Sequence, residues 1–112
     1  MNFNKPEALS WLQTNPNLSP FASNRFGKQG AIDFVKRLYK LGCRQVAVAN
    51  LSDEEWRIAK EGSPYADTFI AVLPTDRNQR CLIFGLYNEE RATERLPPED
   101  DDDREELEFW WD

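Results

Sequence analysis

The run Glu106-Leu107-Glu108-Phe109-Trp110-Trp111 constrains this chain more than any other stretch. Successive side chains of a β-strand point to opposite faces. Leu107, Phe109 and Trp111 therefore share one face, and Glu106, Glu108 and Trp110 share the other. This is the pattern of a half-buried strand, and the aromatic residues at its end support it. The chain must supply a sheet to receive this strand and a layer to cover its apolar face.

The lead-in, Pro97-Pro98-Glu99 followed by four aspartates at 100–103, cannot extend a helix. The prolines break it, and adjacent carboxylates repel one another. It reads as a solvated acidic loop that discourages unwanted pairing at a sheet edge.

Upstream, Ala31, Phe34, Val35, Leu38 and Leu41 recur at i, i+3, i+4, i+7 and predict an amphipathic helix from Lys28, with Gly42 as its C-terminal stop. Residues 44–51 and 67–74 read as strands. Between them, Ser52 caps a predicted short helix carrying Glu55 and Trp56. Thr75 or Asp76 caps a second long helix containing Leu82, Ile83, Leu86 and Tyr87, and Gly85 within it suggests close approach to the sheet. A short helix over 6–14 begins at Pro6, and the loop after it carries Leu18 and Phe21 toward the core.

The predicted fold is α+β, one domain over 1–112. A helix and loop over 1–27 pack on an αββαβ unit over 28–112. Read as a right-handed crossover, strand–helix–strand makes the last strand parallel to its predecessor. The expectation is a three-stranded mixed sheet with two long helices on one face and a ferredoxin-like element order.

Composition narrows the function. The chain has 14 Lys and Arg against 20 Asp and Glu, a net charge of −6, and no histidine. The charge disfavours nucleic acid and anionic membrane, since both attract cations. Lack of histidine removes Ser-His-Asp and Cys-His catalysis and most zinc chemistry. Cys43 and Cys81 have no partners at metal spacing and read as free, buried thiols, Cys81 on the apolar face of its helix. With no apolar leader at the N-terminus, the expected location is the cytoplasm. No cofactor is expected.

Carboxylates remain as candidate chemistry. A parallel final strand would bring Asp67 near Asp103, and with Asp101 these are the candidate ligands of a divalent ion. Asp76 and Asp112 would sit at strand ends, where α/β sites gather. Charge is also polarised: six bases and one acid over 25–44, nine acids and one base over 99–112. That pattern suits association with a protein partner or a second copy, with Trp110, Lys36, Arg37 and Lys40 as the candidate contact residues. The leading expectation is a non-catalytic protein-interaction or regulatory module. The alternatives are a carboxylate- or metal-dependent enzyme, and a small-ligand module walled by Trp56, Trp110 or Tyr65.

Overall fold

The computed structural model describes residues 6–14, 27–49 and 68–111. In chain order these form α1 (Ala8–Thr14), α2 (Lys28–Lys40), β1 (Gln45–Ala49), β2 (Thr68–Val72), α3 (Arg77–Thr93) and β3 (Glu106–Trp110). The expected loop at Leu18 and Phe21, the helix after Ser52, and Trp56, Tyr65, Asp67 and Asp112 lie outside the described residues.

The class is α+β, but the sheet is not mixed. Its order is β1-β2-β3, and both pairs are antiparallel. Val72 at the end of β2 lies opposite Glu106 at the start of β3. The reason is in the acidic lead-in. In a crossover unit the helix alone carries the chain back to the start of the next strand. Here α3, 17 residues and about 25 Å long, runs away from the end of β2, and residues 94–105 retrace its length. Arg91, Asn88 and Arg80, read backward along α3, bond Pro97, Glu99 and Asp101 in turn. The strand that follows starts where β2 ended and must run against it. The ferredoxin-like comparison depended on a crossover with parallel strands, and this sheet gives it no basis.

Both helix stops are built from backbone. After α2, the Gly42 and Cys43 N–H groups donate to Tyr39 and Leu38, with Gly42 at φ +111°. Gly42 is needed there for its conformation; the end of the flexible Gln79 side chain lies 2.7 Å from where a Cβ would stand and could move aside. After α3, Arg95 and Leu96 N–H donate to Ala92 and Arg91, and Arg95 itself takes the left-handed position at φ 60°. At the other end of α3, the Asp76 carboxylate accepts from Gln79 N–H at 2.9 Å, the helix cap foreseen for it.

The core lies between one sheet face and the helices. Phe34 of α2 meets Phe69, Phe109 and Trp111 at centroid distances of 6.3, 5.5 and 5.3 Å. Tyr87 of α3 meets Phe109 at 5.4 Å. Leu107, Phe109 and Trp111 are buried, and Glu106, Glu108 and Trp110 are exposed, so the alternation sorts this strand as expected.

Gly85 does not approach the sheet. It is exposed, and nothing lies within 4 Å of a Cβ built on it. An exposed helix interior is where glycine costs most against alanine, so Gly85→Ala should raise stability by about 0.5–1 kcal/mol. Urea unfolding measures this; a loss of stability would show that the helix surface at this point is not open.

Candidate functional site

The two edges of the sheet are finished differently. The outer edge of β1 is closed. Its outward groups include the N–H of Val48, which donates to Pro6 O at 3.0 Å, and the N–H of Val46, which donates to the Tyr39 hydroxyl at 3.0 Å. Glu7 bridges to Ala47 beside them. Tyr39 in turn donates to Glu7 Oε2 at 2.6 Å, and the same carboxylate accepts from Leu9 and Ser10 N–H at 2.9 and 2.8 Å. Glu7 thus caps α1, which begins at Ala8 and not at Pro6 as predicted. Burial pushes the Glu7 carboxyl up, but the Tyr39 hydroxyl and the two N–H groups outweigh it, and the net displacement is downward. Burial and the neighbouring carboxylate push the Tyr39 hydroxyl up to about 12.

The outer edge of β3 is open among the described residues. Leu73 N–H donates to Glu105 O at 2.8 Å, which sets the phase of the ladder. Antiparallel pairs alternate between bonded and non-bonded positions. Leu107 and Phe109 therefore turn their backbone groups to β2, and Glu106, Glu108 and Trp110 turn theirs outward. No strand pairs with that side among the described residues. A cleft of about 430 Å³ lies at this edge, lined by Glu106, Glu108 and Trp110 of β3 and by Tyr87, Arg91, Glu99 and Arg104 of α3 and the acidic run. Trp110 is 41% exposed.

The acidic run next to this edge is exposed, as expected, but it is not a free loop. It is a strap fixed to α3 by arginines. Arg80, only 6% exposed, grips Asp101 through Nε and Nη2 at 2.8 and 2.6 Å. It also donates to Pro74 O and Arg104 O at 3.1 and 2.9 Å. Arg77 pairs with Asp101 and Asp103, and Arg104 pairs with Asp102 and Glu99. Asn88 exchanges two bonds with the Glu99 backbone, at 3.0 and 2.9 Å. The Tyr87 hydroxyl donates to Glu99 Oε1 at 2.6 Å. These partners hold carboxyls low: Arg80 acts on Asp101, Arg104 on Asp102, and first Tyr87 and then Arg104 on Glu99.

The candidate metal ligands stand differently from their expected arrangement. Asp101 and Asp103 are committed to arginines. The antiparallel register places the start of β3 beside the end of β2, which removes the reason for bringing Asp103 toward the start of β2. It also separates the end of β3 from Asp76, so those two strand ends do not converge. Among the described residues no group of three His, Cys, Asp or Glu side chains is placed to hold a metal ion.

Lys36, Arg37 and Lys40 are exposed on α2. The buried side of that helix meets the core face of the sheet, whereas Trp110 stands on the other face. The structure does not bring these four residues onto one surface. What the sequence reading missed was the open edge as a unit and the arginine partners of the acidic run. A spacing signal for the latter was present: Arg77 and Arg80 lie three apart on one helix face.

No helix among the described residues is long and apolar enough to cross a membrane. Compared with protein-family models, with curated proteins and with solved structures, the chain matches none.

Proposed function

We propose that this protein is a non-catalytic interaction module, acting in the cytoplasm, that takes an extended segment of a partner protein along the outer edge of β3. The observation that carries the reading is the contrast between the two sheet edges. One is closed by Pro6 and Tyr39; the other presents outward backbone groups at Glu106, Glu108 and Trp110 beside a cleft. Adding a strand to a free edge supplies main-chain hydrogen bonds, while side-chain pockets supply selectivity. A large exposed aromatic at such a place is a common binding anchor. The cytoplasmic reading is supported by two free cysteines, Cys43 buried and Cys81, against expectation, exposed on the outer side of α3.

The test is a panel of random ten-residue peptides panned against the full chain, followed by mapping of the amide signals that the selected peptides shift. They should shift Glu106, Glu108 and Trp110. Glu108→Pro removes an outward N–H without touching the β2–β3 ladder, a position where an edge strand tolerates proline. It should keep the melting temperature within a few degrees and abolish binding. Selected peptides that bind elsewhere, or that bind Glu108→Pro unchanged, would refute the reading.

A further inference from the structure

Resting on that reading, we propose that the segment docking on β3 is cationic, with Lys or Arg at alternate positions, and that it is not a second copy of this chain. The acids of this region fall into two sets. Glu99, Asp101, Asp102 and Asp103 are matched by Arg77, Arg80, Arg91 and Arg104 within the fold. Asp100, Glu105, Glu106 and Glu108 have no ion-pair partner among the described residues. Apart from the exposed Asp100, the second set lies on the edge strand or immediately before it. The outward backbone groups and the unmatched carboxylates thus belong to the same residues, Glu106 and Glu108.

Residues directly opposite on paired strands bring their Cβ atoms to about 4.5–5.5 Å, where opposite charges attract and like charges repel. A strand added beside β3 must place a side chain opposite Glu106 and another opposite Glu108, on the same face and two residues apart. Lysine or arginine at those two positions satisfies both. Trp110, two residues further on the same face, offers its ring to a third cation or to an apolar side chain. The intervening side chains of the incoming strand face Tyr87, Leu96 and Phe109 along a narrower part of the same edge, which suits apolar residues.

A second copy meets the opposite situation. Two-fold antiparallel pairing that uses most of β3 and keeps both core faces on one side sets Glu108 against its own counterpart, or Glu106 against Glu108; registers centred on Phe109 or Trp110 avoid this but pair three residues of the strand or fewer. Each copy also carries a net charge of −6. The glutamates that exclude self-pairing are the ones that select a basic strand, so one pair of side chains provides both the attraction and the repulsion needed for specificity.

Three capped octapeptides test this against the full chain: one alternating Lys and Val, one alternating Glu and Val, and one alternating Lys and Pro. The Lys–Val peptide should shift the Glu106, Glu108 and Trp110 amides and change tryptophan emission. Its affinity should fall by about five- to tenfold in the Glu106→Gln/Glu108→Gln variant, as for the loss of two exposed ion pairs. It should weaken further with salt. The Glu–Val peptide should not bind. The Lys–Pro peptide has the same charge, but alternating proline holds it in a polyproline II form with three residues per turn, in which alternate lysines do not share a face, and it should not shift those amides. Equal binding of Glu–Val and Lys–Val peptides at the edge, or no effect of the double Gln variant, overturns the cationic assignment and leaves edge docking intact. Equal shifts from the Lys–Pro peptide overturn it in favour of simple charge attraction. A concentration-dependent dimer that Glu108→Pro dissolves makes a second copy the occupant. Absence of any peptide contact at the edge, with Glu108→Pro equally inert, removes the inference and edge docking together.

Discussion

Trp111→Ala should destabilise the protein by about 3–5 kcal/mol, the usual cost of emptying a buried tryptophan site. Small domains have only about 5–15 kcal/mol in total, so the variant will sit near the limit of folding. The side chain is fully buried. It lies edge-on to Phe34 and Phe69 and stacked on Phe109, at 5.3, 5.8 and 6.0 Å. It therefore joins α2, β2 and β3 at one point. A second contribution is polar. The indole Nε1–H donates to Glu90 Oε1 at 3.0 Å, and Glu90 is itself buried. Trp111→Phe keeps most of the ring packing and loses that donor, so it should cost about 1–3 kcal/mol, the penalty for a buried acceptor left with fewer partners. Equilibrium unfolding of both variants separates the two contributions. A Trp111→Ala variant as stable as the parent would mean that the end of the chain is not part of the core.

Arg80→Ala should lower stability by about 2–3 kcal/mol: the guanidinium is buried and makes four hydrogen bonds, but its Asp101 partner is partly exposed, so the loss falls below that of a fully buried ion pair. For a chain of this size that is a fall of about 10–15 °C in Tm. The substitution leaves Pro74 O, Arg104 O and both Asp101 oxygens without the guanidinium that now serves all of them. Arg80→Lys should recover only part of the loss, because an ammonium cannot reproduce the two-pronged grip on a carboxylate. The pH dependence is a separate readout. Glu99, Asp101 and Asp102 have carboxyls held below their ordinary values of 4.5 and 3.8. A lowered carboxyl contributes stability that is present above the unfolded value and lost as pH falls below it. The parent should therefore be stable above about pH 5 and lose stability progressively from about pH 4 downward. Arg80→Ala should show a shallower decline, since Asp101 then has less to lose. Parallel slopes in the two proteins would show that Arg80 does not hold the strap.

The elements themselves were legible because each announces a period. Residues 106–111 alternate, and the helix from Lys28 repeats at three and four. Asp76 and Gly42 punctuate the helices as their side chains require. What periodicity cannot report is the direction of a strand, which depends on how the chain travels between elements. Residues 94–105 carry no apolar pattern, and a charge run usually means solvation. Their order comes instead from arginines up to 24 positions away, such as the bond from Arg80 to the Arg104 carbonyl. The open edge was half legible. Alternation identified Trp110 and the two glutamates as outward-facing, but not whether another strand or the N-terminal segment would cover them. In the structure Pro6 and Glu7 go to β1. Gly85 misled for a different reason: glycine in a helix signals close approach only where something is close.

The strap along α3 also limits which changes of chain length this protein can absorb. Surface connections normally accept an added or missing residue, because nothing fixes their middle. Here Pro97, Glu99 and Asp101 are each tied to a particular turn of α3, so spare length has nowhere to collect. Between the last tie, at the Arg104 carbonyl, and Glu106 there is a single residue. An insertion there would move every side chain of β3 to the other face, sending glutamates into the core and Leu107, Phe109 and Trp111 into water. Insertions and deletions in this connection should therefore be tolerated no better than in the strands themselves, although it has no regular secondary structure.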